Sequence, residues 1–483
     1  MSNPVSHMDN TCASNVILHA FDWPYARIAH YAEAIANAGF KSVLVSPPMK
    51  SLHHRNGSPW WQRYQPQDYR VIDNQLGNTH DFILMTEALK KHDLHIYVDV
   101  VFNHMANESD HRTDLNYPSE KILNQYKDEE EYFEKIRLFG DLSKALFTEQ
   151  DFVNAFPIKD WHNPWEVQHG RISGDSNDPG LPTLKCAENV VKQQQKYLRA
   201  LKQLGIKGFR IDAAKHLTLE HIQRVWDEDV SRGMHIFGEI ITDGGASRDE
   251  YELFLEPYLK STSLGAYDFP LFHSVFNVLE KNRPMTELIN PYSVGQALAY
   301  DRAITFAITH DIPNNDVFLD QVMSPVSERL AYCYLLGRDG GVPLVYSDLN
   351  TSGITDESGQ PRWLDCWQDP ILSRMIAFHH QMHSLPMQIL EAGDDHLIFS
   401  RGNEGIVAIN RGQQPVCVEL PEGNYLDCLS LPGVEMATSQ DRQAQLTNED
   451  NLPIKTERFL QSTDSKNVLL LPGGSCAMMM KKQ

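Results

Sequence analysis

Nowhere in the 483 residues is there an apolar run of about 18 residues, the length a membrane-spanning helix needs. Positive charge is scarce: 43 Lys and Arg face 64 Asp and Glu, for a formal net charge of -21. That balance argues against a nucleic-acid partner and against an anionic membrane surface, since both need cations. The opening residues, MSNPVSHMDNTCASN, lack the basic start and apolar core of a secretory leader. A cytoplasmic protein, or one exported by a route without such a leader, is expected. The 7 cysteines are scattered, odd in number and free of CxxC spacing, which disfavours a disulfide framework or a zinc site. No internal repeat or low-complexity tract breaks the chain, which is long enough for two or three domains. A monomer is expected.

What is present is an alternation. Apolar strand-like runs start at Asn15 (NVILHAFDW), Ser42 (SVLVSPP), His95 (HIYVDVVFNH), Gly208 (GFRIDA), His235 (HIFGEI), Gly265 (GAYDFPLF), Ala303 (AITFAITHD) and Val342 (VPLVYS). Segments with apolar residues at helical spacing lie between them, such as YARIAHYAEAIANAG and AENVVKQQQKYLRALKQLG. Repeated βα units call for a parallel sheet, and eight of them for a closed (β/α)8 TIM barrel. A doubly wound open sheet is the alternative on pattern alone. A long insert with little periodicity follows the third strand, and a segment of this kind inside a compact domain is usually functional. Helical patterns stop near residue 385, and Gly-containing turns then join strands of an antiparallel β-sandwich. The expected division is a barrel over 1–104 and 186–384, an inserted domain over 105–185, and an all-β domain over 385–483.

In such a barrel the site lies at the carboxyl ends of the strands. Those ends carry Asp99, Asn103 and His104; Arg210, Asp212, Lys215 and His216; Glu239; and His310 and Asp311. The loop after the second strand adds Trp60, Trp61, Tyr64 and Gln65. In GFRID, alternation places Arg210 and Asp212 on one side of a strand, where unpaired charges are costly to bury. A structural ion pair explains that much. Three carboxylates on one rim, Asp212, Glu239 and Asp311, suit acid–base and nucleophilic chemistry, with their pKa values driven apart by mutual repulsion.

The segments DVVFNH, GFRIDAAKH, FGEI and ITHD, in that order, resemble the four signature segments of the α-amylase family of glycoside hydrolases. SPWWQRYQPQDY resembles the substrate loop of α-amylases in particular. The resemblance implies a retaining hydrolase of internal α-1,4-glucosidic bonds in starch, glycogen or maltodextrins. It assigns the nucleophile to Asp212, the acid and base to Glu239, and the holding of substrate hydroxyls to Asp311. A retaining pair needs carboxyls about 5–5.5 Å apart. Arg210 is expected beside Asp212, favouring its ionised form, and Glu239 is expected to stay protonated near neutral pH. Trp60, Trp61, Tyr64, Gln65, His104, Arg210, Lys215, His216 and His310 are implied on the substrate side, with Asp99 as a prop. An α-glucan transglycosylase or another α-glucosidase of the same family is the alternative.

The resemblance also raises calcium, with Asn103, Arg171 and His216 at ligand positions. Thr183 stands where the family carries an Asp ligand, and Asp175 or Asp178 is the candidate to replace it. Thr309, where chloride-binding members carry Asn, argues against chloride.

Overall fold

The strand-like runs owe their position to burial. Every residue of Ile17–Ala20, Ser42–Val45, Gly208–Ile211 and Ala303–Phe306 is shielded from solvent, as parallel strands covered on both faces must be. The computed structural model describes residues 14–53, 57–242, 248–429, 459–463 and 466–482. Eight parallel strands form a closed barrel: β1 (Ile17–Ala20), β2 (Ser42–Val45), β3 (His95–Val100), β4 (Gly208–Ile211), β5 (His235–Gly238), β6 (Gly265–Tyr267), β7 (Ala303–Phe306) and β8 (Val342–Ser347). Closure is made by β1 against β8, with Ile17 opposite Leu344, and this excludes the open doubly wound sheet. The helix Tyr25–Asn37 turns Tyr25, Ile28, Ala32 and Ile35 inward, the spacing of one helical face.

Two expectations are corrected. The run GAYDFPLF is not one strand: β6 stops at Tyr267, and a helix runs over Phe269–Leu279. Asp268 caps it by accepting from the Leu271 N–H at 3.0 Å, and Pro270 fits its first turn. The insert is not irregular throughout. It contains helices at Glu120–Asp128, Glu130–Ile136 and Pro164–His169. The first two pack Ile122, Tyr126, Phe133 and Ile136 against Val71 in a small core of their own.

The C-terminal strands are β9 (Met387–Ala392), β10 (His396–Arg401), β11 (Gly405–Asn410), β12 (Val416–Leu420), β13 (Tyr425–Asp427), β14 (Phe459–Thr463), β15 (Lys466–Leu471) and β16 (Ser475–Lys481). They make two antiparallel sheets, ordered β9-β10-β11-β16-β13 and β12-β15-β14. The larger sheet is sandwiched by the period of two. Leu397, Phe399, Val407, Ile409 and Met478 join the barrel's core, while Ile398, Ile406, Ala408, Ala477 and Met479 meet Val418, Leu420, Leu469 and Leu471 of the smaller sheet. Buried Arg401 ties this unit down, donating to the Arg338 carbonyl at 2.7 Å and the Met382 carbonyl at 2.6 Å, both at helix ends. The six described cysteines form no disulfide with one another, and Cys12 lies outside the described residues, as does most of the opening stretch read for a leader.

Candidate active site

The parallel register sets Asp99 of β3 beside Arg210 of β4, and Arg210 beside Phe237 of β5. Arg210 points into the barrel and is fully buried. Its Nη1 donates to Asp99 Oδ2 at 2.6 Å and to Asp212 Oδ1 at 2.8 Å. Its Nη2 contacts Glu239 Oε1, with Asp311 Oδ2 at 3.8 Å. One guanidinium therefore serves four carboxylates. Arg210 reaches beyond Asp212 because β3, β5 and the end of β7 bring their carboxylates to the same point.

Backbone geometry fixes the pair most involved in chemistry. Ala213, straight after Asp212, has φ 47 and ψ 38, a left-handed conformation that alanine rarely adopts. That turn lets the Ala213 N–H donate to Glu239 Oε2 at 3.1 Å, and sends the chain into the turn carrying Lys215 and His216. Asn315 holds Asp311 by donating to its Oδ1 at 3.0 Å, and the Tyr64 hydroxyl donates to Asp99 Oδ2 at 3.0 Å.

Four carboxylates and one cation in a dry space cannot all be ionised. Burial pushes the Glu239 carboxyl up to about 8; Arg210 opposes this, while the Asp311 charge and a hydrogen bond to Asp311 reinforce it. Asp212 is also raised by burial and by its acidic neighbours, with Arg210 opposing. Burial raises Asp99 to about 6 and Asp311 as well, so the four carboxyls hold their protons as one interacting set. Burial keeps the histidines neutral: His104 falls to about 4, His216 to about 3, and His310 well below its usual value. Arg210→Met leaves the acidic cluster without its cation. A stability loss of about 3–5 kcal/mol is expected, read as a lower urea midpoint at neutral pH.

A cleft of about 550 Å³ opens beside this cluster, lined by Glu239, Asp311, Lys215, His216 and Thr309. Its apolar walls come from Trp161 of the insert and from Val317 and Phe318 of the turn Asp316–Gln321. Ala213, next in the chain after Asp212, also lines it. Among the described residues, Thr309 Oγ1 is a buried hydroxyl on this wall without a hydrogen-bonding partner.

Tyr64 stacks on His310 at 5.2 Å between ring centroids, and Trp60 meets the same ring edge-on at 5.8 Å. Trp61 is 37% exposed on the same turn. Gln65 accepts from the Asn107 N–H at 2.9 Å, so its amide oxygen supports the loop. His104 Nε2 donates to the Tyr64 carbonyl at 3.0 Å. The Lys215 ammonium pairs with buried Glu250, a partner the sequence reading missed because it lies on a separate helix. Trp161, Val317 and Phe318 were missed too. Trp161 sits in the insert at a distance no spacing rule spans, and its ring meets His216 at 5.8 Å.

The positions implied for calcium lie along the seam between barrel and insert. Thr183 donates to the Gly170 carbonyl at 2.9 Å, beside Arg171, and His216 Nδ1 donates to the Val167 carbonyl at 2.9 Å. Calcium prefers six to eight oxygens, carboxylates among them. Here the donor set is an amide, carbonyls and a hydroxyl, all neutral, next to the buried Arg171 guanidinium. Asp178 is engaged by Asn107 at 2.7 Å and by Ser109 at 3.1 Å, and Asp175 accepts N–H groups of its own loop. The residues present do not fit calcium.

A closed parallel barrel with buried carboxylates converging at the carboxyl ends of its strands sets an acid–base cluster where barrel enzymes carry their sites, and the family match makes it that of a glycoside hydrolase. A sequence model of the alpha amylase catalytic domain matches residues 28–316, and the chain belongs to the α-amylase family. It is 47% identical over 408 residues to an Aeromonas hydrophila alpha-amylase, covering 84% of this chain and 85% of the relative. A Thermomonospora curvata alpha-amylase is 27% identical over 446 residues, covering 86% of this chain and 67% of that one. The structure of Eisenia fetida alpha-amylase I superposes with a TM-score of 0.72 at 20% identity, covering 96% of both chains. A cyclomaltodextrin glucanotransferase superposes at 0.67 with 17% identity, covering 94% of this chain and 90% of that one. At those identities the two structures share the fold with this chain.

Proposed function

We propose that the chain hydrolyses internal α-1,4-glucosidic bonds of starch, glycogen or maltodextrins with retention of anomeric configuration. The observation that carries this reading is the binding of Asp212 and Glu239 to adjacent nitrogens of one buried guanidinium. Glu239 gives its proton to the glycosidic oxygen as Asp212 attacks C1 from the opposite face, and the shortened glucan leaves with a new hydroxyl. Glu239, now ionised, takes a proton from water; the resulting oxygen attacks C1, and the Asp212 ester bond breaks. Arg210 spreads positive charge across the cluster through both steps, and Asp311 faces the substrate hydroxyls beside them. Hydrolysis of soluble starch and glycogen, followed by oligosaccharide analysis on maltoheptaose, tests it. Only shorter products support hydrolysis, and longer ones support a transglycosylase, whose acceptor sugar would use the same cleft.

Trp161 and Phe318 offer apolar faces to the pyranose rings on the Lys215 side. Phe318→Ala is expected to raise KM for maltoheptaose about 5- to 20-fold with little change in kcat, the pattern of lost ground-state binding. A fall in kcat at constant KM would show that Phe318 acts on the reacting centre instead.

A further inference from the structure

The seam between barrel and insert is closed by the protein's own groups. Two side chains reach carbonyls of one short segment: His216 binds the Val167 carbonyl, and Thr183 binds the Gly170 carbonyl, each at 2.9 Å. Backbone bonds run beside them, from Met105 N to Pro182 O at 3.0 Å, Leu184 N to Asn103 O at 2.8 Å and Val153 N to Thr183 O at 3.0 Å. Thr183 is 1% exposed, so its hydroxyl must find a partner within the protein. The segment has no slack. A Cβ added at Gly170 would lie 2.6 Å from Ile158 and 2.7 Å from the Glu166 carbonyl.

Charge points the same way. Beside the implied ligand positions lies the Arg171 guanidinium, 6% exposed, with its Nε lacking a hydrogen-bonding partner among the described residues, while the seam's carboxylates are taken, Asp151 by Asn189 and Asp178 by Asn107 and Ser109. A divalent cation at the Asn103, Arg171 and His216 positions would meet a like charge and neutral first ligands, with the nearby Asp178 carboxylate already bonded to Asn107 and Ser109.

We propose that the junction is a calcium-free latch: the His216 imidazole ties the barrel to the insert's 167–170 segment, and the Thr183 hydroxyl ties that segment to the stretch of the insert whose backbone pairs with His104 of the barrel. Position 183, where the resemblance puts a carboxylate that would draw the ion, carries a hydroxyl that donates to the Gly170 carbonyl instead. His216 also lines the cleft, so the latch fixes one wall of the substrate site.

The test uses the full chain, dialysed against EGTA and then melted and subjected to limited proteolysis with EGTA or with millimolar calcium chloride. The same Tm and the same cleavage pattern are expected in both buffers. A Tm that rises with calcium, or saturable calcium binding in equilibrium dialysis, would overturn the latch. Thr183→Val, which keeps shape and removes the hydroxyl, is expected to lower Tm and to speed cleavage within residues 105–185 several-fold in both buffers. Thr183→Ser is expected to stay near wild type. An unchanged Thr183→Val protein, or a Thr183→Ser protein as labile as Thr183→Val, would also overturn it. Should Thr183→Val fail to fold, the serine variant and the wild-type melts still decide. None of these readouts uses a substrate, so they stand whether or not the chain hydrolyses starch.

Discussion

Asp212→Ala is expected to lower kcat/KM on soluble starch by a factor on the order of 10⁴ or more, because no ester to C1 can form. The same change removes one of four carboxylates crowded on Arg210 and relieves their repulsion. The inactive variant should therefore melt at or above the wild-type temperature near pH 7. This opposition of stability and activity separates a nucleophile from a structural acid, whose loss would lower Tm. Azide supplies a second check. In the alanine variant it can occupy the vacated space and attack an α-maltosyl fluoride, giving a β-glycosyl azide. Activity retained within tenfold would remove Asp212 from the mechanism.

Glu239→Gln is the second large effect. A general acid contributes about 10²–10⁴ in rate, and that loss is expected on starch. It should shrink on an α-glucosyl fluoride, whose leaving group needs no proton. The pH profile carries the sharper signature. Glu239 is raised to about 8 by burial, so the wild-type activity should fall as pH rises through that region and the acid loses its proton. The ordinary carboxylate value of about 4.3 would place that limb far lower. The glutamine variant cannot lose this proton, and its profile should be flat there. Stability follows the same sign. The folded pKa lies above the unfolded one, so the contribution of Glu239 is full below about pH 4.3 and lost as pH climbs toward about 8. Alkaline buffers should therefore lower the wild-type Tm more than that of Glu239→Gln.

Much of the barrel was legible because its strands are short apolar runs covered on both faces, which stand out against amphipathic helices. The second half of GAYDFPLF misled for a physical reason. Its helix buries every residue from Phe269 to Phe276, so no polar stripe betrays the helical period. Asp268 and Pro270 were the available signal, a capping residue and a first-turn proline. The helix Glu120–Asp128 was overlooked for the opposite reason: it buries only Ile122 and Tyr126, too few for a period to emerge.

At the site, residues on the strand ends could be read because barrel topology gathers those ends. The sharing of Arg210 among four carboxylates could not, since it depends on register between strands more than a hundred residues apart, as for Asp99 and Arg210. The pairing of Lys215 with Glu250, and the approach of Trp161 to His216, likewise depend on how separate loops fold over the mouth.

The most direct test of two cooperating carboxylates is the anomeric form of the first product. Maltoheptaose hydrolysis followed by proton NMR, before mutarotation sets in, should show the α-anomer of the new reducing end rising first. Initial release of the β-anomer would mean a single displacement by water, and would contradict a covalent intermediate on Asp212.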